Sequence, residues 1–336
     1  MQIDANFFMS LALQEAWKYQ GLTYPNPAVG CCIVGANGEI LAVDAHQKAG
    51  APHAEVNALK TAYIKLTNDE TILSSKSSAD IHEYLKKHHN GIFRGLELYT
   101  TLEPCSHYGK TPSCASLISE LGILKVFVGS NDLNPEAKNG NVVLENNGIE
   151  VSTEILKNEC DALLDPFKKF HKKNFIFFKW AQRFNGTTDG MEISSLESRK
   201  KVHAMRDLCD LLVIGGNTVR TDRPRLDARL VDGKAPDVLI VSREKNFDQS
   251  IPLFDVKDRT VYIESDFSRL KQYNNIMIEG TDTMFHLTRD IVDYYLCFVA
   301  PNFGGSEIFH SSESNFKILN LQKDGQDIVL WMKRGE

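Results

Sequence analysis

A histidine, two cysteines and a glutamate limit most strongly what this chain of 336 residues can fold into. His53 and Glu55 are separated by one residue, and Cys105 and Cys114 follow further along the chain. One imidazole and two thiolates can bind zinc and leave its fourth position open, as catalytic zinc sites require. A carboxylate at Glu55 can exchange protons with a water molecule at the metal without being a ligand. The pattern predicts a catalytic zinc site whose ligands are His53, Cys105 and Cys114.

A purely structural role is the simplest alternative for these residues. A lone histidine is usually a satisfied surface or core residue, and a lone cysteine is usually a small buried hydrophobe. A structural site with four cysteines would need another nearby Cys-x-x-Cys pair, and the other cysteines are scattered. They are Cys31, Cys32, Cys160, Cys209 and Cys297. The structural alternative also leaves Glu55 without a purpose, and it predicts that Glu55→Gln is harmless to any activity.

Length and composition indicate a globular protein of two domains. The chain is long for one core, and 42% hydrophobic with 24% charged residues is typical of a globular protein. No apolar run approaches the length of about 20 residues that spans a membrane, and the first residues lack the pattern of a secretion signal. Seven unpatterned cysteines favour the cytoplasm. The net charge of −6 argues against a nucleic-acid partner.

The hydrophobic pattern of the first half predicts alternating helices and strands. The predicted helices cover residues 7–20, 54–63, 79–89, 113–121 and 153–171, and the predicted strands cover residues 31–34, 39–43, 96–101 and 126–129. Pro25 and Pro27 predict an extended loop around Asn26. The segment 66–91 is a polar insertion to which the sequence assigns no function. We expect an α/β sandwich in this half.

The second half begins a separate α/β unit near residue 175. Its predicted strands cover residues 175–180, 211–214, 238–242, 261–264, 275–279, 294–300 and 327–333, the last at a sheet edge, and a helix is predicted over residues 195–209. A strand followed by two glycines at Gly215 can cradle a phosphate, although this signal alone is weak. The arginines at positions 220, 223, 225 and 229 form either a solvated surface or a site for a phosphorylated substrate.

With these motifs in place, the chain resembles the bifunctional deaminase–reductase family of riboflavin biosynthesis over nearly its whole length. The H-x-E half of the zinc-deaminase signature is intact, and the P-C-x-x-C half is stretched. The segments that carry the resemblance are Pro25 to Gly30, His46 to Gly50, Pro52 to Glu55, Thr101 to His107 and Thr111 to Cys114. The resemblance implies a cytidine-deaminase-like three-layer α/β/α domain over residues 1–172. A dihydrofolate-reductase-like α/β domain over residues 173–336 is implied to follow it.

The resemblance also implies an activity and a set of site residues. The family deaminates a diaminopyrimidinone ribosylamino phosphate with zinc and then reduces its ribosyl group to ribityl with NADPH. Its zinc ligands match His53, Cys105 and Cys114, and its proton shuttle matches Glu55. Substrate-binding positions match Asn26, His46, His107, Lys110, Asp132 and Asn134 in the first half, and Lys179, Arg206, Leu226, Arg229 and Glu279 in the second. Cofactor-binding positions match Ala181, Thr218, Asp222, Gly280 and Thr281.

The second half departs from the family pattern at three places. Asn185 stands where the family has aspartate, Glu192 stands near the usual tryptophan, and Thr281 replaces a glycine. Two alternatives therefore stay open. One is a deaminase whose reductase half is only a scaffold, and the other, from another class, is a nucleic-acid-editing deaminase. The resemblance further implies a homo-oligomer formed through the reductase half, with no membrane partner.

Overall fold

The computed structural model describes residues 4–75, 77–107, 111–132, 139–190, 192–309 and 313–335. The chain divides into two compact units, Met1–Phe167 and Lys168–Glu336. The sequence predicts the boundary five residues later, between residues 172 and 173. Among the described residues, no helix combines the length and the apolar character needed to cross a membrane.

The first unit is built on one mixed sheet. Its helices are α1 (Ala5–Trp17), α2 (Ala54–Thr67), α3 (Ser78–His88), α4 (Cys114–Leu121) and α5 (Gly140–Asn146), and α6 (Lys157–Lys172) runs on into the second unit. Its strands are β1 (Gly30–Val34), β2 (Ile40–Ala45), β3 (Glu97–Leu102), β4 (Lys125–Ser130) and β5 (Glu150–Ser152). The strand order is β2-β1-β3-β4-β5, with β1 antiparallel to both neighbours and β3, β4 and β5 parallel.

Helices cover both faces of this sheet, because successive residues of a buried strand point to opposite sides. On one face, a Cβ atom at Gly30 would lie 1.9 Å from the carbonyl oxygen of Ala12, so α1 packs directly on β1. On the other face, Cys31 and Ile33 join a core that includes side chains of α2, α3 and α4. The first unit therefore has the predicted three-layer α/β/α arrangement.

The polar insertion contains the short helix that its pattern predicts. Ser77 caps α3 by accepting a hydrogen bond from the amide of Asp80, whose carboxylate accepts one from Ser77 in return. The helix packs against α2 and α4, and Lys86 pairs with Glu120 of α4 at 2.9 Å. The insertion is thus part of the folded unit and covers the two helices that begin at the predicted zinc ligands.

The second unit is built on a larger, mostly parallel sheet. Its helices are α7 (Leu196–Leu208), α8 (Gly216–Asp222) and α9 (Asp282–Thr288). Its strands are β6 (Phe175–Arg183), β7 (Leu211–Gly215), β8 (Asp237–Val241), β9 (Val261–Glu264), β10 (Asn275–Glu279), β11 (Tyr294–Ala300), β12 (Phe316–Asp324) and β13 (Asp327–Arg334). The order is β12-β13-β11-β6-β10-β7-β8-β9, and only the pairs made by β13 are antiparallel.

Register in this sheet brings charged residues of neighbouring strands together. Lys179 of β6 lies beside Glu279 of β10, so both point to the same face. The alternate residues Phe178 and Ile278 belong to the apolar core on the opposite face, which also includes Phe285 of α9. The carboxyl ends of β6, β7 and β10 meet at one edge of the sheet, where open α/β folds bind their ligands.

The prediction that residues 327–333 form an edge strand is wrong. β13 pairs with β11 on one side and with β12 on the other, and β12 occupies the edge. The sequence did not indicate β12 as a strand, because Lys317, Asn320 and Gln322 interrupt its apolar residues. In the structure, Ile318 and Leu321 of this strand are exposed. The short elements α5 and β5 were also not predicted.

Candidate active sites

Three elements bring the predicted zinc ligands together. His53 is the N-cap residue of α2, Cys114 is the first residue of α4, and Cys105 lies in the loop after β3. The hydroxyl of Ser113 caps α4 by accepting from the amide of Ser116, and it donates to the carbonyl oxygen of Cys105 at 2.9 Å. This hydroxyl therefore fixes the position of one cysteine relative to the helix that carries the other.

The donor atoms have the spacing of a zinc site. The sulfurs of Cys105 and Cys114 lie 3.7 Å and 3.4 Å from Nδ1 of His53, and all three donor atoms lie within 4.8 Å of one another. Tetrahedral zinc with ordinary bond lengths separates a sulfur and a nitrogen ligand by about 3.5 Å. A shared hydrogen bond lowers the pKa of Cys105 and raises that of Cys114. One imidazole and two cysteine sulfurs at this spacing fit zinc.

A threonine orients the histidine ligand. Nδ1 of His53 faces the two sulfurs, and Nε2 lies 3.3 Å from the hydroxyl of Thr111. A hydrogen bond at the second ring nitrogen fixes the tautomer and the ring plane of a metal-binding histidine. Sequence reasoning assigned no role of its own to Thr111, although its place directly before Pro112 in the second cysteine segment was a signal.

Glu55 lies in the first turn of α2, beside the donor atoms but outside the ligand group. Its side chain is only 4% exposed and forms a hydrogen bond with Cys114. Burial raises the pKa of Glu55 to about 7, although the charge of His53 acts in the opposite direction. A carboxyl group with a pKa near neutral can both accept and donate a proton under ordinary conditions. The structure thus places the predicted proton shuttle at the predicted site.

His46 connects Asn26 to the same region. Nδ1 of His46 lies 3.0 Å from the carbonyl oxygen of Pro52 and therefore carries the proton. Nε2 then accepts from the amide of Asn26 at 3.1 Å. Burial lowers the pKa of His46 to about 4, so the ring is neutral. These two hydrogen bonds orient the side-chain amide nitrogen of Asn26 toward His46. The ring of His46 lies 5.6 Å from that of His53.

The remaining predicted residues of the first half are placed less completely. His107 is exposed two residues after Cys105, and Asp132 follows the end of β4. The backbone amides of Asp132 and Asn141 each donate a hydrogen bond to the carboxylate of Glu103 at 3.0 Å. Glu103 was not predicted as a site residue. Lys110 and Asn134 lie outside the described residues.

In the second unit, Lys179, Arg206 and Glu279 form one buried cluster. Arg206 of α7 donates from Nε and Nη2 to the Glu279 carboxylate at 2.8–3.0 Å, and Nζ of Lys179 lies 3.9 Å from it. Burial alone would raise the pKa of Glu279, but the charges of Arg206 and Lys179 lower it. Burial lowers the pKa of Lys179. Buried charges of this kind are typical of ligand sites.

The loop that follows α8 places Leu226 and Arg229 next to this cluster. Leu226 is buried and has a φ of +55°, and the carbonyl oxygen of Asp227 accepts from Nη1 of Arg206 at 3.3 Å. The Asp227 carboxylate accepts from Nη1 of Arg229 at 2.5 Å and from Nε of Arg225 at 2.8 Å. Asp227 was not predicted as a site residue, but its place inside the arginine run was a signal.

The predicted cofactor-binding residues lie near the carboxyl edge of the sheet. Thr218 and Asp222 belong to α8, which follows β7 directly. Gly280 follows β10, and Thr281 is the N-cap residue of α9, where its side chain makes no capping hydrogen bond. Ala181 lies on β6 beside Phe298. These residues come from neighbouring parallel strands or the turns after them, as ligand sites of open α/β sheets do.

Two of the residues that depart from the family pattern have contacts within the second unit. The amide of Asn185 donates to the carbonyl oxygen of Gly304 at 3.0 Å, and its oxygen accepts from the hydroxyl of Thr187 at 3.2 Å. Glu192 pairs with Arg199 of α7. An aspartate at position 185 could not donate to Gly304, because an ionised carboxylate only accepts hydrogen bonds.

Family comparison matches both halves of the chain. The family described as "Cytidine and deoxycytidylate deaminase zinc-binding region" matches residues 2–130. The family described as "RibD C-terminal domain" matches residues 183–330. Their order along the chain is the order of the two predicted domains.

Individual proteins match over most or nearly all of the chain. The chain is 30% identical to the riboflavin biosynthesis protein RibD of Aquifex aeolicus, over 99% of both chains. It is 32% identical to RibD of Escherichia coli over 66% of this chain and 55% of that protein. Among solved structures, a diaminohydroxyphosphoribosylaminopyrimidine deaminase/5-amino-6-(5-phosphoribosylamino)uracil reductase from Thermotoga maritima matches with a TM-score of 0.62 and 27% identity, covering 98% of this chain and 99% of that one. RibD of Acinetobacter baumannii matches with a TM-score of 0.61 and 25% identity over 99% of both chains.

Proposed function

The chain belongs to the family of the riboflavin biosynthesis protein RibD, and from that premise we propose that it catalyses two successive steps. The first is the hydrolytic deamination of a diaminopyrimidinone that carries a ribosylamino phosphate. The second is the reduction of the ribosyl group of the product to a ribityl group by NADPH. Residues 1–172 carry the first activity and residues 173–336 the second.

The observation that carries this proposal is the triad of His53, Cys105 and Cys114 with Glu55 beside it. The triad supplies three zinc ligands at tetrahedral spacing. The buried carboxyl of Glu55 lies next to Cys114. A purely structural zinc site has four protein ligands and no use for such a carboxyl group. The arrangement is the one that hydrolytic deamination requires.

The chain supports deamination through proton transfer and substrate orientation. Bound zinc would lower the pKa of a water molecule at its open position, so that the water can attack an amidine-like ring carbon near neutral pH. Glu55 takes a proton from the attacking water and delivers it to the ring nitrogen. It then takes the proton of the new hydroxyl group on that carbon and transfers it to the amino group, which leaves as ammonia while the carbonyl group forms. The net reaction exchanges the amino group and one water molecule for a carbonyl oxygen and ammonia.

Polar residues around the triad bind the pyrimidine and its phosphate in this proposal. Because His46 holds the amide nitrogen of Asn26, the carboxamide oxygen of Asn26 is the atom that accepts a hydrogen bond from the substrate. By family resemblance, the other substrate-binding residues are His107, Lys110, Asp132 and Asn134. Their donors and acceptors suit an aminopyrimidinone edge and an anionic phosphate.

The buried cluster of the second unit supports reduction. NADPH, when bound, supplies the hydride that reduces the ribosyl group. Lys179, Arg206 and Glu279 orient the substrate, and Leu226 and Arg229 complete its site. The guanidinium groups suit the substrate phosphate. Ala181, Thr218, Asp222, Gly280 and Thr281 lie toward the cofactor, which is consistent with their place at the carboxyl edge of the sheet.

We also place the protein in the cytoplasm as a homo-oligomer that associates through the second unit. All seven cysteines are free thiols, which favours a reducing compartment. The edge strand β12 exposes Ile318 and Leu321, and an edge strand with apolar side chains is a ready site for pairing with another chain. Sedimentation of the wild type and of Ile318→Lys tests this. A wild type that sediments as a monomer would refute the oligomer.

A stepwise assay on purified protein tests the main proposal. The diaminopyrimidinone substrate is supplied first without nicotinamide, and the release of ammonia is measured. NADPH is then added, and its absorbance is followed. We expect ammonia in the first stage and NADPH consumption in the second. Ammonia without NADPH consumption would mean that the second unit is a scaffold, and no ammonia from a zinc-loaded sample would refute the deaminase proposal.

A further inference from the structure

Two arginines donate hydrogen bonds to the backbone of the loop that contains Leu226. Arg259, which lies just before β9, donates from Nη1 to the carbonyl oxygen of Leu226 at 2.5 Å and from Nη2 to that of Arg225 at 2.8 Å. The next carbonyl oxygen, that of Asp227, accepts from Arg206. Three consecutive carbonyl groups are thus held by side-chain guanidinium groups.

These hydrogen bonds explain how the loop keeps an unfavourable backbone conformation. Leu226 has a φ of +55°, a region in which residues other than glycine are uncommon. Such conformations persist only where the surrounding structure determines them. Arg259 supplies part of that determination, because its planar fork bonds both carbonyl groups that flank the Cα atom of Leu226. Nη2 also donates to the carbonyl oxygen of Leu253, which ties the guanidinium to a further segment.

The backbone conformation of this loop also sets the orientation of the Arg229 side chain. The carboxylate of Asp227 bonds the guanidinium of Arg229, and Asp227 takes its own direction from the backbone that Arg259 and Arg206 hold. A change in the φ and ψ angles of Leu226 would therefore move the leucine side chain and Arg229 together. The hydrogen bonds described for Arg259 run to backbone carbonyl groups, two of them in this loop, so Arg259 acts on the site by holding the backbone.

We propose that Arg259 is a positioning residue for the reduction step. It holds the loop of residues 225–227 in the conformation that presents Leu226 and Arg229 to the phosphorylated substrate. The proposal rests on the function proposed above for the second unit. Since Arg259 shapes the binding site and does not take part in hydride transfer, its loss should weaken substrate binding more than it slows turnover.

The test compares Arg259→Gln and Arg259→Lys with the wild type and with a control, Arg269→Gln. Arg269 also makes charge-assisted hydrogen bonds within the second unit, to Glu264, but it belongs to a different segment. NADPH oxidation is measured over a range of the deaminated substrate, so that KM and kcat are separated. Deamination by the same samples reports on the first unit.

We expect Arg259→Gln to raise the KM of the reduction step at least tenfold and to change kcat less than threefold. Arg259→Lys should restore part of the loss, because an ammonium group can still donate to one of the two carbonyl oxygens. Deamination should not change, and Arg269→Gln should leave KM unaltered. An unaltered KM in Arg259→Gln, or an equal rise in Arg269→Gln, would overturn the proposal.

Hydrogen exchange of the peptide that spans residues 223–231 provides a measurement independent of catalysis. We expect faster exchange there in Arg259→Gln, or in Arg259→Lys if the glutamine variant does not fold, and no change in Arg269→Gln. Exchange equal to the wild type would overturn the positioning role whatever the enzyme does. A wild type that consumes no NADPH would instead refute the proposed reduction, so the two failures can be told apart.

Discussion

Asn26, His46 and His53 show how single protons organise the zinc site. The carbonyl oxygen of Pro52 fixes the proton of His46 on Nδ1, and this in turn fixes the orientation of the Asn26 amide. Thr111 holds the far nitrogen of His53 in the same manner. The donors and acceptors of these side chains are therefore already oriented, so a molecule that binds beside them requires little further ordering of the site.

Glu103 is a residue whose structural role can be measured directly. Its buried carboxylate accepts hydrogen bonds from the backbone amides of Asp132 and Asn141, both at 3.0 Å. Glu103→Gln keeps the shape but leaves one amide facing an NH2 group, and we expect it to lower the free energy of unfolding of the first unit by about 1–3 kcal/mol. Urea denaturation measures the change.

A matched control for this prediction is Glu120→Gln. Glu120 forms an exposed pair with Lys86, and exposed pairs contribute about 0–1 kcal/mol. Equal losses for the two variants, or no loss for Glu103→Gln, would contradict the role of Glu103 as a buried acceptor.

At the scale of elements, the sequence predicted the parts of the zinc site with strong periodic or capping signals. The helices that begin at His53 and Cys114 follow their apolar patterns. The strand before Cys105 contains residues of high β propensity, Tyr99, Thr100 and Thr101. The short elements α5 and β5 were missed because few residues give little periodicity. β12 was missed because it is an edge strand with polar residues among exposed apolar ones.

The side-chain partners of the site could not be predicted in the same way. Thr111 and Glu103 have roles that depend on contacts between segments distant in the sequence, and a local pattern carries no information on such contacts. In the second unit, only the folding of the sheet brings Arg259 to the carbonyl groups of Arg225 and Leu226. The family resemblance supplied candidate positions there, while the hydrogen bonds that organise them required the structure.

The contact between α1 and β1 gives a prediction at this scale. A Cβ atom at Gly30 would lie 1.9 Å from the carbonyl oxygen of Ala12, which is backbone and can move only with the helix. We expect Gly30→Ala to lower the stability of the first unit by about 1–3 kcal/mol, since overpacked cores lose this much. Thermal unfolding measures the effect.

Gly35→Ala, just beyond the same strand, is the control. Its added Cβ atom would meet the end of the flexible Glu39 side chain, which can move away at little cost. We expect a loss below about 0.5 kcal/mol, as for ordinary surface substitutions. A Gly30→Ala variant as stable as Gly35→Ala would show that α1 does not pack on β1 as described.

At the scale of the whole molecule, the chain consists of two units, and the donor triad belongs to the first alone. Removal of zinc by a chelator should therefore destabilise only one unit. A site filled at 1,000 times its Kd contributes about 4 kcal/mol, which corresponds to a shift of roughly 10 °C in Tm for a domain of this size. Calorimetry should show one transition that moves and one that does not.

Addition of zinc should restore the first transition, and magnesium should not, because a site of one imidazole and two thiolates prefers zinc. If chelation moved both transitions equally, the two units would not be independent domains. If it moved neither, the triad would not be a site that contributes to stability.

Two separate active sites on one chain should be damaged independently of each other, and a crossed assay of Glu55→Gln and Arg206→Ala measures this. Each variant is given the diaminopyrimidinone for deamination and, separately, the deaminated product with NADPH. Zinc content is measured in both. We predict that Glu55→Gln keeps its zinc, loses at least about 100-fold in deamination and reduces the supplied product normally. Arg206→Ala should deaminate normally and reduce poorly. Equal damage to both reactions by either variant would show that the two reactions do not have separate active sites.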